Sequence, residues 1–383
     1  MKKIVVQIIL FVICLISTSL LATMPSTFEI KHHYVSPRVM GMGGAFSPLA
    51  DDYNAIFYNP AGLAGRKDGQ INFGLGGQLG SGLLDFKDDI DQNKSSGDEN
   101  VDIQNMVDLL SRNYGRQFSV RAPFLGFSWV RPKWGIAILP ADVSINMSMH
   151  QSIGPAINVE LLNDTTLAFG YGNKTHVLGQ ELHWGVTGKY IYRIYYNDTI
   201  FAADLVAGSG QKVFKESLAQ EGGTLDFDLG LLWTPDLYYF LQPTFSLVVR
   251  NLLDYGFTMN QEILAGSGEK PPTLQRVVDA GARISVENFW GFHPRFLIDL
   301  RDMGHTNFSF KKGLHLGAEL EWALWSMLKG ALRAGINQGY VTAGLSAHIL
   351  AITIDFATYG EEVGTSDISK EDRRYIARLA LDF

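Results

Sequence analysis

The stretch "EDRRYIARLALDF", residues 371–383, carries an alternation that runs from Arg374 to its end. Tyr375, Ala377, Leu379, Leu381 and Phe383 form one apolar row, while Arg374, Arg378 and Asp382 fall on the opposite face. Side chains of a strand point to opposite faces with period two, so this stretch reads as a strand with one apolar and one charged side. Charges this frequent cannot face hydrocarbon, where each costs about 2–4 kcal/mol near the midplane. They belong to a polar interior. The pattern recurs in "LHWGVTGKYIYRIYY" (182–196), where Lys189 and Arg193 oppose an aromatic and aliphatic row. It recurs again in "GLHLGAELEWAL" (313–324), where His315, Glu319 and Glu321 oppose Leu314, Leu316, Leu320 and Trp322.

Composition agrees with strands of this kind. The chain of 383 residues holds 40 glycines, 23 phenylalanines, 15 tyrosines and 7 tryptophans, and its mean hydropathy is +0.04. A transmembrane barrel needs this balance, because apolar residues face lipid and every second residue faces the lumen. Candidate strands fall near 70–80, 118–131, 134–147, 156–172, 182–198, 224–234, 243–254, 276–288, 293–303, 312–323, 329–337, 339–347, 349–359 and 372–383. That is about fourteen antiparallel strands, an even number as single-chain bacterial barrels require. The long connections, 81–117, 199–223, 255–275 and 360–371, all follow odd-numbered strands. Such sorting fits short periplasmic turns and long outer loops, whereas a soluble periplasmic β-sandwich, the competing architecture, has no reason for it.

Two outer loops carry helical periodicity, 101–114 (Val101, Met106, Val107, Leu109 and Leu110 on one face) and 205–220. They read as short helices on the barrel rim or as an apolar lip for a ligand or partner. The acidic run 85–102 reads as a solvated loop, with a cation site as the alternative.

At the other end, Lys2 and Lys3 precede an apolar run from Ile4 to Leu15 and a small-residue exit at Ala22, the pattern of a signal peptide over residues 1–22. Cys14, the only cysteine, lies inside it, so the mature chain is expected to have no thiol, disulfide or cysteine metal site. The net charge of −7 offers nothing to nucleic acid. No GxSxG or HExxH is present and the histidines are scattered apart from His32-His33, so neither an enzyme, a metal centre nor a cofactor is expected.

"RVMGMGGAFSPLADDYNAIFYNPAGLAGR", residues 38–66, crowds five glycines and two prolines together. A dinucleotide fingerprint needs Gly at three fixed spacings after a buried strand; Phe46 occupies the third position and "KHHYVSP" precedes it. Apolar residues between the glycines read instead as a folded plug, hatch residues 23–69 inside a barrel of residues 70–383. Gly41, Gly43 and Gly44 allow close approach to the wall, and Pro60 holds Asn59 extended, where its side chain satisfies turn backbone before Gly62. Asp51 and Asp52 have lumenal Lys189, Arg193 or Arg378 as candidate partners, or cap a helix, or face solvent.

This stretch resembles the amino-terminal hatch of the FadL-like outer-membrane transport superfamily. The Gly41-Met42-Gly43-Gly44-Ala45-Phe46, Ala50-Asp51-Asp52 and Asn59-Pro60-Ala61-Gly62-Leu63 elements occur in the family's order. The resemblance implies a fourteen-stranded barrel in the bacterial outer membrane, surrounded by its lipid, that passively passes hydrophobic molecules such as long-chain fatty acids through a kink in the wall beside the hatch. The short start at Arg38 and "LRAGINQGYVTAGLSAHILAITIDFATYGEEVG" (332–364) look more like the PorV-type branch, which implies a non-transporting barrel that docks secreted proteins or secretion subunits. Oligomeric state is not legible. The terminal strand, with Tyr375, Leu379, Leu381 and Phe383, resembles the signal that outer-membrane assembly machinery reads by strand addition.

Overall fold

In the computed structural model the chain is described over residues 28–383 except 84–85, 87–98, 152–154, 178, 202–214, 236–240, 260–262, 264–267, 326–327 and 365–367. The expected signal peptide lies outside the described residues, as do most of the acidic run and most of 205–220.

Fourteen strands close on themselves: β1 Gln70–Gly80, β2 Gln117–Arg131, β3 Trp134–Gln151, β4 Pro155–Val177, β5 Gln180–Phe201, β6 Gln220–Trp233, β7 Leu241–Arg250, β8 Val277–Val286, β9 Phe292–Met303, β10 Leu314–Trp325, β11 Leu328–Asn337, β12 Tyr340–Ile349, β13 Ile352–Glu362 and β14 Glu371–Asp382. Each strand pairs antiparallel with its neighbours in sequence, and β14 closes the ring on β1 in the register Leu75↔Leu379. Phe383 extends that seam, exchanging both backbone hydrogen bonds with Ile71 at 2.8 and 2.9 Å. The fold is an antiparallel transmembrane β-barrel. Closure leaves no edge to meet lipid, which is why a sheet can span a bilayer at all.

The two faces sort as the alternation requires. Phe73, Leu75, Leu167, Phe169, Phe296, Leu345, Phe356 and Leu379 are exposed on the outside, while Asp164, Lys189, Asp228, Asp299, Glu319, Arg333 and Arg378 are buried inside. The rim at Gln70 and Phe383, here the lower rim, has connections of two to seven residues. The upper rim carries the long ones, 81–116, 202–219 and 251–276. One of them holds the helix Glu99–Arg112, with Leu109 buried and Val101 exposed; Met106 and Leu110 have no described side chains. Below it, Phe118 and Met149 form a small apolar cluster with Leu83, Phe86, Met147 and Ile157.

β7 ends four residues earlier than the alternation suggests. Asn251 turns into the left-handed region (φ 54°), its N–H donating to Asp228 at 2.8 Å. Asn tolerates that conformation where most side chains do not.

Candidate functional site

The bore is filled by the chain's own residues 28–66. Ser36 and Pro37 start a short helix, Pro37–Gly41, with Pro at a first position where its missing N–H costs nothing. Gly43 follows at φ +66°, so close to the Leu316 and Ile336 backbone that any Cβ would collide with the wall. The wall makes matching room: a Cβ on Gly335 would strike Gly43, and one on Gly185 would strike Pro60 and Ala61. Asp299 of β9 accepts the Phe46 and Ser47 N–H groups at 2.9 and 2.8 Å. Thr342 donates to the Gly41 carbonyl at 3.0 Å and Arg301 to that of Gly44 at 2.9 Å. Asn59 caps the following turn by accepting Ala61 N–H at 3.1 Å, and its amide donates to Ser47 and Leu231 carbonyls. Gly62 lies directly on the Ala50 backbone. Tyr34 stacks on Phe57 at 4.1 Å, and Phe46 meets Tyr58 edge-on.

At the lower rim Arg38 gathers four carboxylates. It reaches Asp51 at 2.7 Å, Asp52 at 2.8 Å, Glu319 at 2.9 Å and Glu321 at 3.2 Å. Arg295 bridges Glu319 and Glu321 at 2.7 Å and Asp51 at 3.3 Å, and Arg333 holds Glu319 at 2.7 Å. Burial pushes the Asp51 carboxyl up, but Arg38 and Arg295 outweigh it and hold the group below its usual range. Asp52 also accepts the Asn54 N–H at 2.8 Å. The expected partners Lys189, Arg193 and Arg378 are not used. Each finds a nearer group on the wall: Lys189 pairs with Asp228, Arg193 with Asp164 directly across the β4–β5 ladder, and Arg378 with Asn72 and with Tyr53 of the inner segment. Sequence reading missed Arg38 as the hub, although its place at the head of the glycine run was in view.

At the upper end Arg121 donates to the His32 and His33 carbonyls and to Asp142, Arg374 pairs with Glu29, Glu361 and Asp372, and His32 meets Asp302 at 2.9 Å. Burial holds His33 well below its usual value, helped by Lys189, Arg250, Arg193 and Arg121. A cavity of about 190 Å³ remains above the segment and one of about 510 Å³ below it, the latter lined by Arg38, Tyr53, Glu321, Lys329 and Asp382.

Beside the inner segment the wall itself is irregular. Pairing slips between Gly76 and Gln78 of β1, between Arg121 and Leu125 of β2, and between Leu139 and Asp142 of β3. Since Gln78 lies opposite Arg121 and Leu125 opposite Ala141, the three breaks are contiguous. Behind them lie Tyr34, Val35, Tyr53 and Leu139, around a small cavity.

A closed barrel of fourteen strands with its own chain folded through the bore is a fold that solved hydrocarbon channels share. A mutant TodX monoaromatic hydrocarbon channel shares it at a TM-score of 0.50 and 11% identity, over 91% of this chain and 98% of that one. The toluene transporter TbuX of Ralstonia pickettii gives a TM-score of 0.46 and 11% identity, over 91% and 98%. At such identities the likeness is one of fold. The chain belongs to the family described as F plasmid transfer operon, TraF, protein, whose model matches residues 56–300, more than half of its length. No curated protein sequence matches the chain.

Proposed function

We propose that the chain is an outer-membrane channel that passes small hydrophobic molecules, long-chain fatty acids or compounds like them, passively through a gap in its wall. The observation that carries this reading is the contiguous break in β1, β2 and β3 beside the inner segment. A straight path down the bore is unsuited to such cargo, because the segment occupies it and ion pairs cross it at both ends. An apolar solute gains nothing among paired charges and gains about 25 cal/mol per Å² on leaving water for hydrocarbon. A break in the wall leads there directly. In this reading residues 38–66, through Gly41, Gly43, Gly44, Asp51, Asp52, Asn59, Pro60 and Gly62, hold the bore shut while the wall gap stays available. The apolar cluster of Phe118, Met147, Met149 and Ile157 at the upper rim supplies the first landing place.

A second reading, a barrel that docks secreted proteins or secretion subunits, is favoured by the family's description as a transfer-operon protein and by the firmness of the ionic seal. Extraction of the detergent-purified protein separates the two. A stoichiometric apolar compound supports transport; a clean extract with a co-purifying protein supports docking and overturns it.

A further inference from the structure

The wall has a second irregularity, separated from the first by strands β4 and β5. β5 and β6 pair from Leu182↔Trp233 to Tyr195↔Gln220, fourteen residues, yet β6 and β7 pair only from Leu229↔Val249 to Trp233↔Phe245, five. A tilted strand needs about 9–11 residues to cross the hydrocarbon. The upper half of β6, whose Leu225 and Phe227 point outward with the rest of the apolar belt, therefore faces no strand within the membrane. Irregular backbone exposed to lipid is otherwise avoided at this depth, because each unsatisfied N–H or C=O there costs several kcal/mol.

Residues 251–259 fill the opening as a strap. Its attachments to β6 are few and varied: Gly223 and Met259 exchange backbone hydrogen bonds at 2.5 and 3.0 Å, and Leu252 N–H donates to the Phe227 carbonyl at 2.9 Å. Asp226 accepts Leu253 N–H at 2.9 Å, and the Tyr255 hydroxyl accepts Leu225 N–H at 3.1 Å. Asn251, Asp254 and Gly256 are all left-handed, with φ of 54°, 49° and 80°. Leu253, Tyr255 and Met259 are exposed on the lipid side. On the inner side Phe257 is buried with Ile191 and Leu274, and the Arg193 guanidinium lies 4.8 Å over its ring. Arg193, Asn251 and residues 272–275 line the upper cavity, so the strap and, behind it, the segment carrying Leu274 separate that cavity from the bilayer here.

We infer that the β6–β7 seam is a lateral portal, with residues 251–259 as its door, through which a small aromatic molecule dissolved in the outer half of the membrane enters the upper cavity. An incoming ring takes the place of Phe257 on the Arg193 guanidinium, a favourable exchange of one aromatic face for another. Swinging the strap out about Asn251, which stays held by Asp228, Lys189 and Gln275, gives up those five attachments, the Arg276 bond to the Leu252 carbonyl and the Phe257 packing, and breaks no strand ladder beyond the single Gly223–Met259 bridge. The inference rests on the transport reading above but adds a route distinct from the β1–β3 break.

The test is a disulfide across the seam. Gly223 and Met259 form a hydrogen-bonded antiparallel pair, a geometry with Cα atoms about 5.5 Å apart that a disulfide spans. Uptake of the aromatic probe N-phenyl-1-naphthylamine is followed in lipopolysaccharide-bearing cells making the Cys14→Ser chain, with and without Gly223→Cys and Met259→Cys. Oxidation of the pair is expected to lower uptake at least fivefold, dithiothreitol to restore it, and both forms to stay heat-modifiable. Unchanged uptake with the disulfide formed overturns the portal. No uptake above vector by the parent chain overturns the transport reading instead.

Discussion

Arg38→Ala is expected to loosen the inner segment without opening the barrel. Arg38 is nine-tenths buried and its guanidinium joins two aspartates of the segment to two glutamates of β10. Removing one member of a buried ion pair costs about 3–5 kcal/mol when the other is left bare. Glu319 keeps Arg295 and Arg333, and Asp51 is about one-third exposed with solvent to screen it, so the lower figure of about 3 kcal/mol applies. At 1.4 kcal/mol per tenfold, transient release of the segment becomes roughly a hundredfold more frequent. Hydrogen exchange read by mass spectrometry on peptides covering 38–58 should speed up by that factor, while β4 and β5 peptides keep their rates. Lys174→Ala, which removes an exposed pair with Glu181, should change nothing. The carboxyl of Asp51 is held below its ordinary value in the folded state, so its contribution is complete above about pH 4 and is lost only as pH falls through the depressed value. Exchange of the segment should therefore be flat, after correction for the intrinsic rate, from pH 7 to pH 5. Unchanged exchange in Arg38→Ala, or release already between pH 7 and pH 5, refutes the latch.

The closed ladder predicts a heat-modifiable protein, its folded form migrating apart from boiled chain on gels; identical migration of the two contradicts closure. Deleting residues 38–66 should leave a barrel that inserts and conducts ions in planar bilayers, and a silent or uninserted variant removes the stopper role. Deleting Phe383, which pairs with Ile71 across the closing seam and is proposed to be read by the assembly machinery, should lower assembled protein far more than replacing the half-buried Trp322. Equal yields leave Phe383 an ordinary wall residue.

Strand number and order were legible because alternation is local: Tyr375 to Phe383 states its own two faces, and fourteen such stretches suffice to close a ring. The loop-length parity was equally local. Contacts between the inner segment and the wall were not, since they join residues some 280 positions apart, as in Arg38 with Glu319, and no spacing rule reaches that far. The three lumenal cations named as candidates for Asp51 and Asp52 are therefore not the ones they meet, although Asp51 does meet a lumenal arginine, Arg295, and Asp52 does accept a turn N–H, whereas the cross-strand neighbours Asp164 and Arg193 found each other by register. The short β6–β7 ladder was hidden for another reason: residues 243–254 alternate well enough to read as strand through Asn251, and only the Asp228 carboxylate waiting for that N–H ends it.

The most direct test compares two permeants in the same lipopolysaccharide-bearing cells, with and without the protein: the hydrophobic probe N-phenyl-1-naphthylamine and a hydrophilic β-lactam hydrolysed by a periplasmic enzyme. A sealed bore with a route through the wall predicts faster entry of the probe and no change for the β-lactam. Entry of both together, the mark of an open pore, or of neither, contradicts the account.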